Sequence, residues 1–402
     1  MNIYGNGTTT ASNGANTITH YYDRAGIEAA NATAVYGQFI DRKSMPLRSG
    51  KTYKISKWQH LYDLDETDAG FAAKGYLGKR DLDSISAKLH ATDGTGAKLT
   101  EGAGPINEVT PKKITVETEI ATYGFMINYT DEVAMFSEDD VQVKYREELG
   151  YLMNQTYEDL VQRDMLEGAG VIVNAGGDID EDEIGKDIGT HDENAEKYKV
   201  SFDLIRKGVK ILVRNRAKRN TQIVTGSTKI GTKPINKAFY AIIGPEVKYD
   251  LESITRGSGS AEEFAYVPAY KYAGATNLAE GEIGSMHDVR FIESEGAMQH
   301  SSAGAEVPDG YDGVLSYTGD NTGDDGDRGH FDTFPILFPT QGAVAALGIK
   351  GKGKVQFFSK APGELELNNP YATKGFFSAK MHYASVILEP KKLLRINVVA
   401  TK

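Results

Sequence analysis

Residues 137–170, SEDDVQVKYREELGYLMNQTYEDLVQRDMLEGAG, carry the clearest local signal in the chain. Ser137 suits an N-cap, and Glu138, Asp139 and Asp140 complement the positive end of a helix dipole. Val141, Tyr145, Leu149, Leu152, Thr156 and Leu160 recur at spacings of three or four, and Gly168 and Gly170 supply the stop. About 30 residues at 1.5 Å each give a rod of roughly 45 Å, long for a helix in an ordinary globular domain. Gly150 in its middle costs roughly 1 kcal/mol relative to alanine, which predicts a bend or a close contact there.

Upstream of this helix, ITVETEIATYGFMINYT (114–130) is rich in β-branched and aromatic residues and reads as a strand. Before it, residues 46–110 alternate strand-like pieces such as KTYKISKWQHLYDL with polar, Gly-bearing ones. Tyr53, Ile55 and Lys57 share one face of that piece and Lys54, Ser56 and Trp58 the other, the pattern of a half-exposed ribbon. Residues 1–45 are Gly, Thr, Asn and Ala-rich with too few large apolar groups to build a core. They predict an arm that orders only against a neighbouring subunit, with Tyr36 and Phe39 near its end as contact residues.

Downstream, the acidic stretches around 175–198 and 300–332 read as solvated surface insertions. Between them SFDLIRKGVKILVRNRAKRN (201–220) predicts a second helix capped by Ser201 and Asp203, with seven basic residues from Arg206 to Arg219 and no acid among them. In an acidic protein such a run reads first as a solvated face or one that meets an acidic neighbour, and second as a nucleic-acid contact. KAFYAIIGPEVKYDLESI reads as a buried strand, a Gly-Pro break and a helical turn. The chain closes with KMHYASVILEPKKLLRINVVA, two strands around a Pro-Lys-Lys turn.

Composition narrows the function. A chain of 402 residues can hold two or three domains. Its 45 Lys+Arg against 56 Asp+Glu leave a net charge of -11, which excludes binding of nucleic acid by bulk attraction and restricts any such contact to a local patch. With no cysteine there is no disulfide framework, thiolate nucleophile or zinc finger. No apolar run approaches the roughly 18 to 20 residues of a membrane span, and the amino terminus lacks a signal-peptide pattern, so a soluble protein that stays where it is made is expected.

Candidate chemistry is sparse. GEIGSMHDVRFIES (281–294) gathers Ser285, His287, Asp288 and Arg290, but His287 and Asp288, adjacent in an expected strand, leave opposite faces, and no third triad member is identifiable. Its polar residues are therefore read as architectural, with Val289 and Phe291 packing inward and His287 on their face or its edge. DIDEDEIGKD and DNTGDDGD match calcium loops in composition only, since Glu183 replaces the turn glycine in the first and Asn321 and Gly323 break the ligand pattern of the second. GIKGKGKV (348–355) lacks Walker spacing. No catalytic, metal or cofactor site is expected.

A floppy arm, a long ribbon and one long helix cannot all bury their surface within one chain, and such a chain requires copies of itself. The stretches MPLRSGKTYKISKW, LTEGAGPINEVTPKKITVETEIATYGFMINYTDEV, LGYLMNQTYEDLVQRDMLEGA, FYAIIGPEVKYDLESI, the GEIGSMHDVRFIES segment and NNPYATKGFFSAKMHYASVILEPKKLLRINVVA stand in an order and spacing that resemble the major capsid proteins of tailed bacteriophages. The resemblance is closest to the branch in short-tailed phages related to the enterobacterial phage N4. It covers most of the chain from Pro46 onward and departs at the two acidic insertions and at NNPYATKG, where relatives tend to show an Asp-Pro-Leu-Gly-type turn.

The resemblance implies an α+β fold, the tailed-phage major capsid fold (HK97-like). Its parts would be an N-terminal arm (1–45), an extended loop (46–110), a peripheral domain with a long spine helix (111–200 and 366–402), and an axial domain with surface insertions (201–365). It implies a non-enzymatic protein of the virion, assembled in the host cytoplasm into hexamers and pentamers around double-stranded DNA held by non-specific contact. A portal protein and a decoration protein are the further partners implied, with no membrane. Tyr36, Phe39, Trp58, Arg214, Arg216 and Arg219 are the expected subunit-contact residues. The rivals are an encapsulin-type nanocompartment shell of the same fold and, from another class, a β-rich hydrolase.

Overall fold

The computed structural model of the chain describes residues 35–46, 48, 50–58, 82–92, 97–99, 101–102, 113–136, 141–224, 232–256, 263–272, 278–320, 328–349, 355–363 and 370–402. Most of the expected arm, the Ser137 cap with its three acids and most of the GIKGKGKV loop lie outside them.

A 3-10 turn at Gly37–Phe39 leads into β1 (Asp41–Met45). β2 (Thr52–Trp58) and β3 (Lys113–Glu119) pair antiparallel from Thr52 opposite Glu119 to Trp58 opposite Lys113, with α1 (Leu82–His90) between them in sequence. One face of this ribbon carries the Lys54–Glu117 ion pair and the Ser56–Thr115 hydroxyl contact. The other lays Tyr53, Ile55 and Val116 on a small core of Met45, Ile120, Leu347, Ala384 and Val386, so the two-faced ribbon pattern holds. The 114–130 stretch is two strands rather than one. It breaks at Ile120, whose N–H bonds the Lys51 carbonyl; β3 stays in the ribbon and β4 (Ala121–Thr130) joins a larger sheet.

After α2 (Asp131–Phe136) comes the long helix, α3 (Val141–Glu167), whose 27 residues span about 40 Å at 1.5 Å each. Its buried side holds Leu149, Gly150, Met153, Tyr157, Val161 and Met165. Leu152, placed on the core stripe by spacing, faces solvent at 42% exposure. The reason is that the buried face is partly polar: Arg146, Asn154, Glu158 and Gln162 are buried there, and a stripe drawn through apolar residues alone is centred too far to one side.

The remaining elements are β5 (Val171–Asn174), α4 (Phe202–Arg214), β6 (Asn220–Val224), β7 (Thr232–Ile243), α5 (Pro245–Glu252), β8 (Thr255–Arg256), β9 (Glu263–Phe264) and β10 (Val267–Pro268). There follow β11 (Glu282–Met286), β12 (Val289–Glu293), β13 (Tyr317–Thr318), β14 (His330–Phe331), β15 (Phe334–Phe338), β16 (Val344–Ile349), β17 (Val355–Lys360), β18 (Lys374–Ile387) and β19 (Leu394–Val398). α5 starts as the Gly-Pro break predicts, with Gly244 as N-cap and Pro245 at the first position.

Two sheets organise the molecule. One runs β1-β16-β18-β17 with β4 also on β18; the other runs β10-β11-β12-β7-β15-β19-β5 with β6 on β7. β18 and β4 pair from Lys374 opposite Thr130 to Tyr383 opposite Ala121. In the second sheet β7 is buried on both faces. Tyr240 and Ile242 join Ile292 and the α3 stripe on one side, while Phe239, Ala241 and Ile243 join Phe291, Phe338 and the Ile205, Val209 and Leu212 face of α4 on the other.

The sheets cut across the expected domain boundaries. β16 and β17, placed with residues 201–365, belong to the sheet of β4 and β18. β5 and β19, placed with the spine-helix region, belong to the sheet of β7. The closing segment does form two strands around Pro390–Lys392, but that turn carries the chain from one sheet to the other.

Candidate assembly surfaces

Tyr36 and Phe39, expected at a subunit contact, are buried in this chain's own core. The Glu158 carboxylate of α3 accepts the backbone N–H of Tyr36 at 2.7 Å and of Gly37 at 3.3 Å. Gln162, its amide assigned by its hydrogen-bond network, donates to the Gly296 carbonyl and accepts from the Tyr36 hydroxyl, each at 2.9 Å. The Phe39 ring lies 5.2 Å from that of Tyr240. Polar groups on the spine helix thus fasten the start of the described chain, a role that apolar periodicity gives no reason to assign.

Trp58 is 65% exposed at the end of the β2–β3 ribbon farthest from its core-packed base. Other large apolar side chains stand exposed on the same excursion and beside it, among them Leu82 and Leu89 of α1, and Met135 and Phe136 of α2. An isolated two-stranded ribbon is marginal in water, and exposed apolar groups of this size mark contact surfaces.

The basic run does not form one helix. α4 ends at Arg214, Asn215 caps it, and Arg216 turns left-handed at φ 55, so Arg216 and Arg219 lie beyond the helix. Arg219 pairs with Asp288 and its guanidinium stacks 5.0 Å from the centre of the Phe239 ring, which makes it an anchor within the chain. The structure therefore does not gather Arg214, Arg216 and Arg219 with Trp58 or with Tyr36 and Phe39 into one site.

β11 and β12 form a hairpin with Met286 opposite Val289, and His287 and Asp288 are its two-residue turn rather than strand residues, His287 at φ 55. Val289 and Phe291 are buried as expected. The His287 ring meets Phe202 at 6.1 Å and Asp288 holds Arg219, so the suspicious stretch is a turn docked on α4 and the segment after it.

The acidic insertions overturn the sequence reading. They pack on each other as a lobe with its own core: Ile184, Ile188, Ala195 and Tyr198 from the first meet Val307, Tyr311, Leu315 and Phe331 from the second, with Val399 beneath. The signal was present in Ile179, Ile184 and Ile188 and in the four-residue spacing of Val307, Tyr311 and Leu315, beneath a heavy acidic composition.

Much of the polar stitching between the two insertions is carboxylate-based. Asp192 accepts from the Tyr311 hydroxyl and the Val314 N–H, and Glu181 accepts from His300, Thr333 and the Arg395 guanidinium of β19. Burial opposes the Glu181 charge, but the hydrogen bonds from His300 and Thr333 and the nearby Arg395 outweigh it and hold its pKa below the usual glutamate value. His191 is held above its ordinary value by its hydrogen bond to Asp312 and by that residue's charge.

The two ties have opposite pH dependence. The Glu181 contribution is complete above about pH 4.3 and is lost as pH falls through its lowered value; the His191 contribution is complete below about pH 6.5 and is lost as pH rises through its raised value. Hydrogen exchange of residues 178–198, taken relative to the intrinsic amide rate at each pH, should therefore accelerate as pH falls from about 4.3 to about 3. In Glu181→Gln it should already be fast at pH 5 and change less. Equal acid sensitivity in both proteins would remove Glu181 from this role.

No family model matches the chain. The major capsid protein of Pseudomonas phage KPP21 is 28% identical to it over 407 aligned positions, which cover 97% of this chain and 94% of that protein. Among solved structures, the capsid of Ralstonia phage GP4 superposes with a TM-score of 0.53 over 92% of this chain and 89% of the other, at 12% identity. The fold is that of the HK97-like capsid shell proteins, a mixed α+β architecture with a long helix between sheets and a projecting ribbon.

Proposed function

We propose that this chain is a major capsid protein, many copies of which form the shell of a tailed phage. It is a structural component of the virion, and its work is association between identical subunits. The observation that carries this reading is the end-to-end likeness to a phage major capsid protein in a chain with the shell fold.

In finer detail, subunits assemble as hexamers and pentamers around double-stranded DNA held by non-specific contacts. A portal occupies one vertex, a decoration protein is a further outside partner, and the chain belongs to the N4-like branch. The five-stranded sheet with α3 forms the peripheral domain, the β2–β3 excursion the extended loop, and the sheet of β7 with α4 and α5 the axial domain, which carries the insertion lobe.

Purified protein viewed by negative-stain microscopy should show closed shells, and native particles should contain DNA. Particles filled with cargo enzyme in place of DNA would favour the encapsulin-type reading, and a persistently monomeric protein would end both. Trp58, as the only tryptophan, reports on the ribbon. Its emission should move to shorter wavelength on assembly as the indole leaves water at a subunit contact, large aromatics being common interface anchors. An unchanged spectrum in assembled shells would place the contact elsewhere.

A further inference from the structure

A ring of identical subunits with head-to-tail contacts needs two different surfaces on each subunit, mutually complementary and on opposite sides. The second sheet carries such a pair. At its β11–β12 end a cavity of about 700 Å³ opens between this hairpin, the Val35–Tyr36 segment and α3. Glu158, Asp159, Glu280, Glu282, Glu293 and Glu295 line it, and among the described residues no lysine, arginine or histidine does.

Part of this charge is answered within the chain. Glu158 accepts backbone N–H groups, Glu282 pairs with Arg290, and Glu293 pairs with Lys248. Asp159 accepts a hydrogen bond from the neutral amide of Gln155 at 2.9 Å. Glu280 and Glu295 are exposed. The walls thus hold an excess of negative charge in a concave site, where low-dielectric surroundings strengthen the field.

The complementary surface is α4, which lies on the other face of the sheet from α3, starts beside the β11–β12 turn at Phe202 and brings Lys207 to β5. Its Ile205, Gly208, Val209, Ile211 and Leu212 face packs inward, with Gly208 letting the helix lie close against Leu394 and Ile396 of β19. Its other face exposes Arg206, Lys207 and Lys210. Lys207 lines a concavity with Ile172 and Asn174 of β5, the far edge strand of the sheet, and with Asp178, Asp180, Glu181 and Arg395, while Lys210 lies outside that concavity. From β11 to β5 there are five ladder steps, about 24 Å at roughly 4.8 Å each.

Resting on the capsid reading above, we propose that the basic face of α4 of one subunit docks against the acidic cavity of the next, Lys207 and Lys210 meeting Glu280 and Glu295, and that this contact sets the register of the capsomer ring. The chain's net charge of -11 makes a local positive surface the natural counterpart of an acidic one between copies. Charge pairs at an interface chiefly select partner and register, so a few exposed pairs suffice for this role.

The test compares the full-length protein with Lys207→Glu/Lys210→Glu, with Glu280→Lys/Glu295→Lys, and with all four changes together. Unfolding curves control for folding, since all four side chains are exposed. Sedimentation should show the concentration needed for shell formation rising about tenfold in each double variant and recovering to within about threefold in the quadruple variant. An equimolar mixture of the two double variants should behave better than either alone. Shells formed as readily by both double variants as by wild type would overturn the contact, as would a quadruple variant no better than the doubles. Normal shells that merely retain less DNA would make α4 a nucleic-acid face instead. Wild-type protein that forms no shells at all would remove the capsid reading and this contact with it.

Discussion

Glu158→Ala should destabilise the subunit by about 3 kcal/mol and release the segment from Val35 to the start of β1 from the spine helix. The carboxylate is buried on α3 and accepts the N–H groups of Tyr36 and Gly37. Removing it leaves two buried donors without an acceptor, each costing about 1–3 kcal/mol. The Tyr36 and Phe39 rings then lose the backbone geometry that directs them into the core beside Gln162 and Tyr240. Glu158→Gln keeps one carbonyl acceptor and should lose about half as much. Denaturant unfolding measures the energies, and hydrogen exchange of residues 35–45 reads the release. A Glu158→Ala subunit of wild-type stability with this segment still protected would show that the apolar contacts alone hold it.

Phe331→Ala should unfold the insertion lobe while both large sheets persist. Phe331 is fully buried, packs edge-on to Tyr311 at 5.4 Å, and fills the lobe so tightly that a Cβ on Gly185 would fall 2.7 Å from its ring. Truncating a buried phenylalanine costs about 3–5 kcal/mol. A lobe with a core this small has little reserve beyond that. Hydrogen exchange should rise throughout 178–198 and 300–318 while β7, β15 and β18 stay protected. Global unfolding at the same denaturant concentration as the lobe would show that the lobe and the sheets form one cooperative unit. Retained lobe protection would show that its carboxylate ties suffice without the ring.

Both predictions fall where reading the sequence ran out. Local chemistry was legible: the long helix and its glycine stop, the Gly-Pro entry into α5, the two faces of the β2–β3 ribbon and the strands flanking Pro390–Lys392 all follow from spacing, caps and turns. The polar members of the α3 stripe were not legible, because Arg146, Asn154, Glu158 and Gln162 look solvent-facing until partners elsewhere in the chain arrive. The lobe was hidden for the same reason. Its acids suggest solvation, and its apolar residues become a core only when two stretches some hundred residues apart are juxtaposed.

The candidate contact residues divide along the same line. Trp58 was legible as the exposed apolar end of a ribbon. Tyr36 and Phe39 were legible as apolar anchors, but whether they anchor to a neighbour or to their own chain depends on a carboxylate at Glu158. Arg219 was legible as a charge, while its partner Asp288 lies on a hairpin turn that becomes its neighbour only through the fold.

The sequence by itself determined the long helix and its glycine stop, the Gly-Pro entry into α5, the two faces of the β2–β3 ribbon and the strands flanking Pro390–Lys392, since those depend on residues a few positions apart. The tertiary structure alone decided that β18 and β19 belong to different sheets, that the acidic insertions share a core, and that the acidic cavity lies beside β11 and β12 while Lys207 lies beside β5 of the same sheet. Those outcomes are set by pairings between residues far apart in sequence, whose free energy appears only once burial and hydrogen bonding offset the entropy of bringing them together.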